Sequence, residues 1–387
     1  MPETAPKIAQ RQPGRRMVIA GGSTGGHLFP GIAVAQVFMA RHIDNRVLFI
    51  NAGRPMEVQV LSKLGWAYHT IAVEGIKGRS ALRQLMAVTM IPRAIWSSLQ
   101  TLKAFRPHLV LGVGGYAAGP VVTAAWWLGI ASALHEQNQL PGITNRILSR
   151  MVDRNFLSFE DTQGRFCPHR TIVSGNPVRD EILILGDEPP ASDDPQRFTV
   201  LVVGGSQGAH AINLAVTEAL HQLKSLEGLS VIHQTGIQDE PWVRKAYQEA
   251  GISATAQAFF DNMAEQYQKA DLIICRAGAT TVAEITVMGK ASLFVPFPFA
   301  ADDHQTRNAR ALVDAQAAEI IDQKDLTADL LVQKIFDYAG NRSRLAQMAA
   351  NARTLGKPEA ALTIVRELYR LLDMPEIVQR RYYQREA

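Results

Sequence analysis

Apolar and polar positions along this chain alternate between two periods. Short β-branched runs, "RRMVIAGG", "RVLFINA" and "PHLVLGVGG", are apolar at successive positions and read as strands buried on both faces. Longer stretches with helical spacing follow them, "HLFPGIAVAQVFMARH" after the first and "MEVQVLSKLG" after the second. The apolar helix "PVVTAAWWLG" leads into a further strand, "ASALHEQ". Strand and helix in strict alternation predict parallel sheets with helices on both faces. Residues 186–197, "GDEPPASDDPQR", break the rhythm with three prolines, four acidic residues and no apolar run. Beyond them it restarts as "FTVLVVGG", "LSVIHQTG", "SATAQAFF", "ADLIICRAG", "KASLFVPFP" and "AAEIIDQ". The expected organisation is a disordered polar leader at 1–16, an α/β domain at 17–185, a linker at 186–197 and a second α/β domain at 198–360. A C-terminal helix and tail at 361–387 is expected to pack back towards the first domain.

Each domain opens with the same device. "VIAGGSTGGH" ends the first strand of one and "VLVVGGSQGAH" that of the other, so Gly21 and His27 recur as Gly204 and His210. A glycine turn from strand to helix lets a ligand approach the backbone and aims free N–H groups at an anion. The plainer alternative is a tight turn and nothing more. Neither copy fits G-x-G-x-x-G well, and the second strand ends in Asn51 rather than an acid that would hold an adenosine ribose. That weighs against a dinucleotide-dependent dehydrogenase.

Composition narrows the classes. The chain has 387 residues, 47% hydrophobic and 20% charged, with a formal net charge of +4, which is ordinary globular material with a mild pull on anions. Cys167 and Cys275 have neither disulfide nor zinc spacing, so no metal and no cofactor is expected. The longest apolar run, residues 121–134, is too short to span a bilayer. The leader lacks the apolar centre of a signal peptide.

Four segments carry candidate chemistry. His27 opens the first helix, where the dipole disfavours an imidazolium, so a neutral general base is one reading and a capping or packing histidine the other. In "AGATTVAE", Thr281 and Glu284 have capping-box spacing; alternatively Glu284 accepts from sugar hydroxyls while the turn at Gly278 faces a phosphate. Arg179, in "VSGNPVRDE", precedes a helix start and reads as a diphosphate ligand or an exposed arginine. Residues 73–107 have no acid after Glu74 and interleave Lys77, Arg79, Arg83 and Arg93 with Leu82, Met86, Met90, Ile95 and Trp96. That pattern reads as a surface for an anionic membrane, with a core-facing helix as the alternative and nucleic acid disfavoured.

"GGSTGGHLFP", "GVGGYAAGP", "HEQN", "SGNPVR", "GGSQGA" and "RAGATTVAE" occur in the order found in glycosyltransferase family 28, and the chain resembles its peptidoglycan enzymes from about residue 17 to 370. The resemblance implies a GT-B fold, with two Rossmann-like doubly wound domains facing a cleft. It implies transfer of N-acetylglucosamine from UDP-N-acetylglucosamine to lipid I at the cytoplasmic face of the cell membrane. Matched motif by motif, it makes His27 the base and sets Thr24, Gly25, Gly26, Asn138 and Gln305 beside the donor sugar. Arg179 and Ser206 would hold the diphosphate. Phe260, Ala279, Thr280, Thr281, Val282, Ala283 and Glu284 would hold uridine and its ribose. Ser23 replaces a family glycine, Phe260 an aliphatic residue, and Gln305 stands alone where the family often has two glutamines. A UDP-N-acetylglucosamine 2-epimerase on the same plan, or a silent UDP-sugar-binding protein, are the competing readings.

Overall fold

The computed structural model describes residues 14–375 and 377, except 23, 75–80, 162–163, 189–195 and 206–207, and of 81–88 and 301 the backbone alone. Most of the expected leader and linker, together with Lys77, Arg79 and Ser206, therefore lies outside the described residues.

Seven parallel strands form the first sheet: β1 (Arg16–Ala20), β2 (Arg46–Asn51), β3 (Tyr68–Thr70), β4 (Leu109–Gly112), β5 (Ala131–Glu136), β6 (Arg154–Leu157) and β7 (Thr171–Val173), in the order β3-β2-β1-β4-β5-β6-β7. Six form the second: β8 (Phe198–Val203), β9 (Leu229–Gln234), β10 (Ser253–Gln257), β11 (Leu272–Cys275), β12 (Ala291–Phe294) and β13 (Glu319–Ile320), in the order β10-β9-β8-β11-β12-β13. All described pairings are parallel.

The two-residue period of a strand explains why these runs are apolar throughout. Met17 and Ile19 enter one core with the helices Gly25–Ala40 and Ala360–Leu372. Val18 and Ala20 enter another with the helices Ala81–Phe105 and Ala118–Trp127. With both faces covered, the inner strands β1, β4, β5, β8, β11 and β12 are buried almost throughout, and exposed positions fall mainly on the edge strands such as β3 and β10. The second sheet is sandwiched in the same way.

The helix Ala360–Leu372 belongs by packing to the first sheet. Ala361, Ile364, Val365, Leu368 and Leu371 are buried beside Leu28 and Phe38, and Asn45 donates to the Tyr369 hydroxyl at 2.7 Å. The chain thus crosses back after finishing the second sheet. We expect Ile364→Ala to cost about 2–5 kcal/mol through a cavity in the first domain's core. Leu362→Ala, on the exposed face, is expected to stay within ~0.5 kcal/mol. Urea unfolding followed by circular dichroism compares the two.

Candidate active site

In doubly wound sheets the ligand crevice opens beyond the carboxyl ends of the strands, where the strand order reverses. Here those points are β1/β4 and β8/β11, and both glycine turns leave from them. At the first, Gly21 has φ 125°, and a Cβ on it would lie 1.9 Å from the Gly114 carbonyl oxygen. Gly114 has φ 90°, and its Cβ would lie 2.8 Å from His27 Nδ1. Only glycine lets the loops after β1 and β4 meet and leaves room for the imidazole.

His27 is the third residue of the helix Gly25–Ala40, whose start no side chain caps. Its Nδ1 lies 2.8 Å from Gln137 Oε1 in the loop after β5. That loop is held by buried Glu136, which accepts from the N–H groups of Asn138 (3.0 Å) and Gly142 (3.1 Å) and from Asn145 Nδ2 (2.8 Å). Glu136 is therefore a support for its neighbours.

A cavity of about 700 Å³ lies between the sheets. Thr24, Gly25, Gly26 and Phe29 line it from one side, and Arg179, Phe260, Ala279, Thr280, Thr281, Glu284 and Gln305 from the other. One contact ties its walls together and two more join the domains beside it. Thr280 Oγ1 donates to the Gly26 carbonyl at 3.1 Å, and Asn308 Nδ2 donates to Asn138 Oδ1 at 3.2 Å. The Gln139 N–H donates to Asn308 Oδ1 at 3.1 Å.

The structure corrects three expectations. The helix Ala279–Met288 has Gly278 as its N-cap and no side-chain cap, so Thr281 and Glu284 form no capping box. Glu284 is buried, and accepts from Arg179 Nη2 at 3.0 Å and the Tyr267 hydroxyl at 3.0 Å. Arg179 is accordingly neither a surface residue nor free for a phosphate alone: it also pairs with Glu181 at 2.8 Å and stacks 5.0 Å from the Phe29 ring centroid. Burial opposes its charge, but Glu284 and Glu181 outweigh that and raise its pKa above the ordinary value. Third, Val282 and Ala283 are turned away from this cavity and line a separate one with Val173, Asn176 and Leu355. On the helix Val282 lies opposite Glu284 and Thr280, and Ala283 lies to one side of them.

Other expected residues fall as follows. Asn138 is engaged by Asn308 in the bridge between domains. Gln305 Oε1 accepts from the Phe297 N–H at 2.9 Å. The Phe260 N–H donates to Gln234 Oε1 at 3.1 Å. His210 is at the cavity edge, its side chain 71% exposed and paired with Asp239 at 2.9 Å.

Sequence reasoning missed Arg276, Gln234 and Tyr267 in this wall. Arg276 donates to the Val295 and Pro296 carbonyls and to Gln323 Oε1, and burial lowers its pKa to about 10. The signal was its place directly after β11, at a strand end that opens on the cleft. Tyr267 gave none, because its helical spacing reads as core. Together the wall offers two cations, two helix starts at glycine turns and one buried carboxylate. That set suits a diphosphate beside a polyhydroxyl group.

Residues 17–157 match the glycosyltransferase family 28 N-terminal domain and residues 199–364 its C-terminal domain. The UDP-N-acetylglucosamine--N-acetylmuramyl-(pentapeptide) pyrophosphoryl-undecaprenol N-acetylglucosamine transferase of Syntrophus aciditrophicus is 47% identical, covering 90% of this chain and 97% of its own. The chain belongs to glycosyltransferase family 28. The protein of the same name from Geotalea uraniireducens is 45% identical over 92% of this chain and 98% of its own. The crystal structure of Acinetobacter baumannii MurG, a family member, superposes with a TM-score of 0.73 at 34% identity, over 92% of this chain and 99% of that one. A UDP-GlcNAc 2-epimerase from Neisseria meningitidis superposes at 0.64 with 16% identity, covering 92% and 99%, and shares the fold alone. The family's GT-B plan is the one described above, two Rossmann-like domains facing a cleft.

Removing Glu284 takes from Arg179 its buried partner and leaves it only the half-exposed Glu181. Glu284→Ala is therefore expected to lower stability by about 2–3 kcal/mol, less than a fully stranded charge would cost and beyond the ~1 kcal/mol of a lost helix cap. Thermal and urea unfolding of the variant without ligand measure it.

Proposed function

We propose that the chain moves N-acetylglucosamine from UDP-N-acetylglucosamine to the muramic acid 4-hydroxyl of lipid I, with inversion, giving lipid II, and that His27 is the base. The observation that carries this is the pairing of an anion-binding, carboxylate-bearing wall on the second domain with His27 on the facing helix start of the first. In this reading Glu284 accepts from the ribose hydroxyls. Phe260 and the turn Ala279–Thr281 flank the uridine, and Arg179 and Arg276 offset the diphosphate charge, with Ser206, outside the described residues, assigned to it by its motif. Thr24, Gly25, Gly26 and Gln305 surround the sugar, with Asn138 behind it.

The reaction needs no strong acid. As the acceptor oxygen bonds to the anomeric carbon, the bond to the diphosphate breaks and its electron pair leaves with UDP. The hydroxyl proton passes to His27 and then to solvent. Cations and helix starts stabilise the departing charge, and one base suffices. A glycosidase would need two carboxylates flanking the bond.

A lipid-linked acceptor calls for a membrane face. Among the described residues no helix is long and apolar enough to cross a membrane. On the helices Ala81–Phe105 and Ala118–Trp127, Trp96 is 64% and Trp127 60% exposed, with Trp126 and Arg93 also exposed. On the neighbouring helix Ile143–Leu148, Ile143 and Ile147 are also exposed. Aromatic rings with basic neighbours suit the interface of an anionic bilayer. We therefore assign the chain to the cytoplasmic face of the cell membrane as a peripheral protein. Arg93 is the one basic residue of the expected set with a described side chain.

The deciding experiment is UDP release with and without a polyprenyl-diphosphate-linked muramyl acceptor. Release that does not depend on acceptor overturns the proposal. His27→Ala is expected to lower kcat by roughly 10²- to 10⁴-fold with the donor KM little changed. His210→Ala, whose side chain is mostly exposed, is expected to cost far less.

Trp96→Ser combined with Arg93→Gln is expected to weaken binding to anionic vesicles. The arginine part is worth about 1 kcal/mol and fades with added salt. Co-sedimentation at low and high salt checks it; unchanged binding at low salt would place the membrane face elsewhere.

A further inference from the structure

Behind His27 the side chains form a line of hydrogen bonds whose direction is set from its far end. Gln137 is buried, 1% exposed, and its amide nitrogen donates to the Val113 carbonyl at 2.9 Å. The same nitrogen lies 2.9 Å from His135 Nδ1. A backbone carbonyl only accepts, so the amide cannot be reversed without setting two oxygens against each other. His135 Nε2 lies 3.3 Å from the Gly175 carbonyl and 3.4 Å from the Ser158 hydroxyl. A ring nitrogen beside a carbonyl carries the proton, which leaves Nδ1 to accept from Gln137. Burial pushes the His135 imidazole down to about 4, against the Gly175 carbonyl, which favours the charged form. The ring is thus neutral at ordinary pH and remains an acceptor on its Gln137 side.

With its nitrogen committed, Gln137 turns its oxygen towards His27 Nδ1, 2.8 Å away. An amide oxygen only accepts, so Nδ1 carries the His27 proton and the ring lone pair is on Nε2. Among the described residues Nε2 has no hydrogen-bond partner.

We infer that Gln137 and His135 are positioning residues that hold His27 in the Nδ1–H tautomer, with Nε2 open to take the acceptor's proton. This rests on the reading of His27 as the base. When the hydroxyl proton arrives at Nε2, both ring nitrogens are protonated. Gln137 keeps accepting from Nδ1–H, so the ring need not turn between the two states. Gly114 completes the arrangement, since a side chain there would occupy the imidazole's place. A network serving only to satisfy buried polar groups would predict loss of stability on substitution. It would not predict a change in where the His27 proton sits.

Two-bond ¹H–¹⁵N correlation spectra of the ¹⁵N-histidine-labelled full-length protein read the tautomer directly, with His27 assigned by its absence in His27→Ala. The expected wild-type pattern is Nδ1–H. Gln137→Met removes the acceptor. It is expected to release the Nδ1–H form and to lower kcat on the order of 10²-fold, the cost of a displaced reacting group, with the donor KM little changed. Gln137→Glu keeps an acceptor oxygen facing His27 Nδ1 and is expected to restore the Nδ1–H pattern and recover most of the loss in kcat. A wild-type His27 protonated on Nε2 overturns the inference whether or not the variants fold. So does a Gln137→Met protein that keeps the Nδ1–H pattern or near-wild-type kcat. Full turnover by His27→Ala would instead defeat the reading of His27 as the base and leave the tautomer measurement standing.

Discussion

In a parallel sheet every strand must be followed by a crossover, so the helix starts collect on one edge. The cleft follows from that single constraint. Two such sheets face each other here by their carboxyl edges, and the helices Gly25–Ala40 and Ala279–Met288 begin within reach of each other: Thr280 bonds to the Gly26 carbonyl across the gap. Backbone N–H groups with no partner inside their helices are therefore gathered at one place before any side chain is chosen. Glycine at 21 and 114 is what lets the facing loops close to backbone contact.

The side chains then divide the work. The wall built on the second sheet carries the opposed charges, with Glu284 held between Tyr267 and Arg179, which precedes the helix Asp180–Gly186 packed on that sheet, and with Arg276 tied to the backbone after β12. Both of its arginines are immobilised by other bonds before a ligand arrives, so little rotamer entropy remains to be lost on binding. The first domain carries His27, backed by neutral groups. Gln137 and His135 place a proton without adding a charge, which keeps the base from being drawn into an ion pair. The Asn138–Asn308 bridge couples the two halves close to this point.

The returning helix Ala360–Leu372 fits the same scheme. The chain's last described helix packs on the sheet that holds His27, so the two domains are linked twice, once near Arg179 and once after the second sheet. A double crossing limits how the cleft can open, and the strained positions it needs are glycines: at Gly175, φ is 84° and a Cβ would lie 2.4 Å from Lys357 Cβ.

Much of this was legible in the residues alone. The unbroken apolar run in "RRMVIAGG" against the helical spacing after it decided the alternating architecture, because a strand covered on both faces turns successive side chains into two cores. Repetition of the glycine turn at Gly21 and Gly204 marked two equivalent units, since a Cβ at either position would run into backbone, 1.9 Å from the Gly114 carbonyl oxygen at the first and 2.4 Å from the Ala209 nitrogen at the second. Six ordered motifs carried the family. What the sequence could not decide was which way side chains face and whom they meet. Thr281 and Glu284 have the spacing of a cap, yet Glu284 is drawn to Arg179, distant in sequence, because a buried carboxylate gains more from a cation than from a helix N–H. Val282 and Ala283 share the motif of Thr280 but not its face. His135 and Gln137 stand two residues apart in "HEQN" without any sign of their link to His27. That link exists only because the loops after β1, β4 and β5 converge, and hydrogen-bond direction is a property of such meetings, not of local sequence.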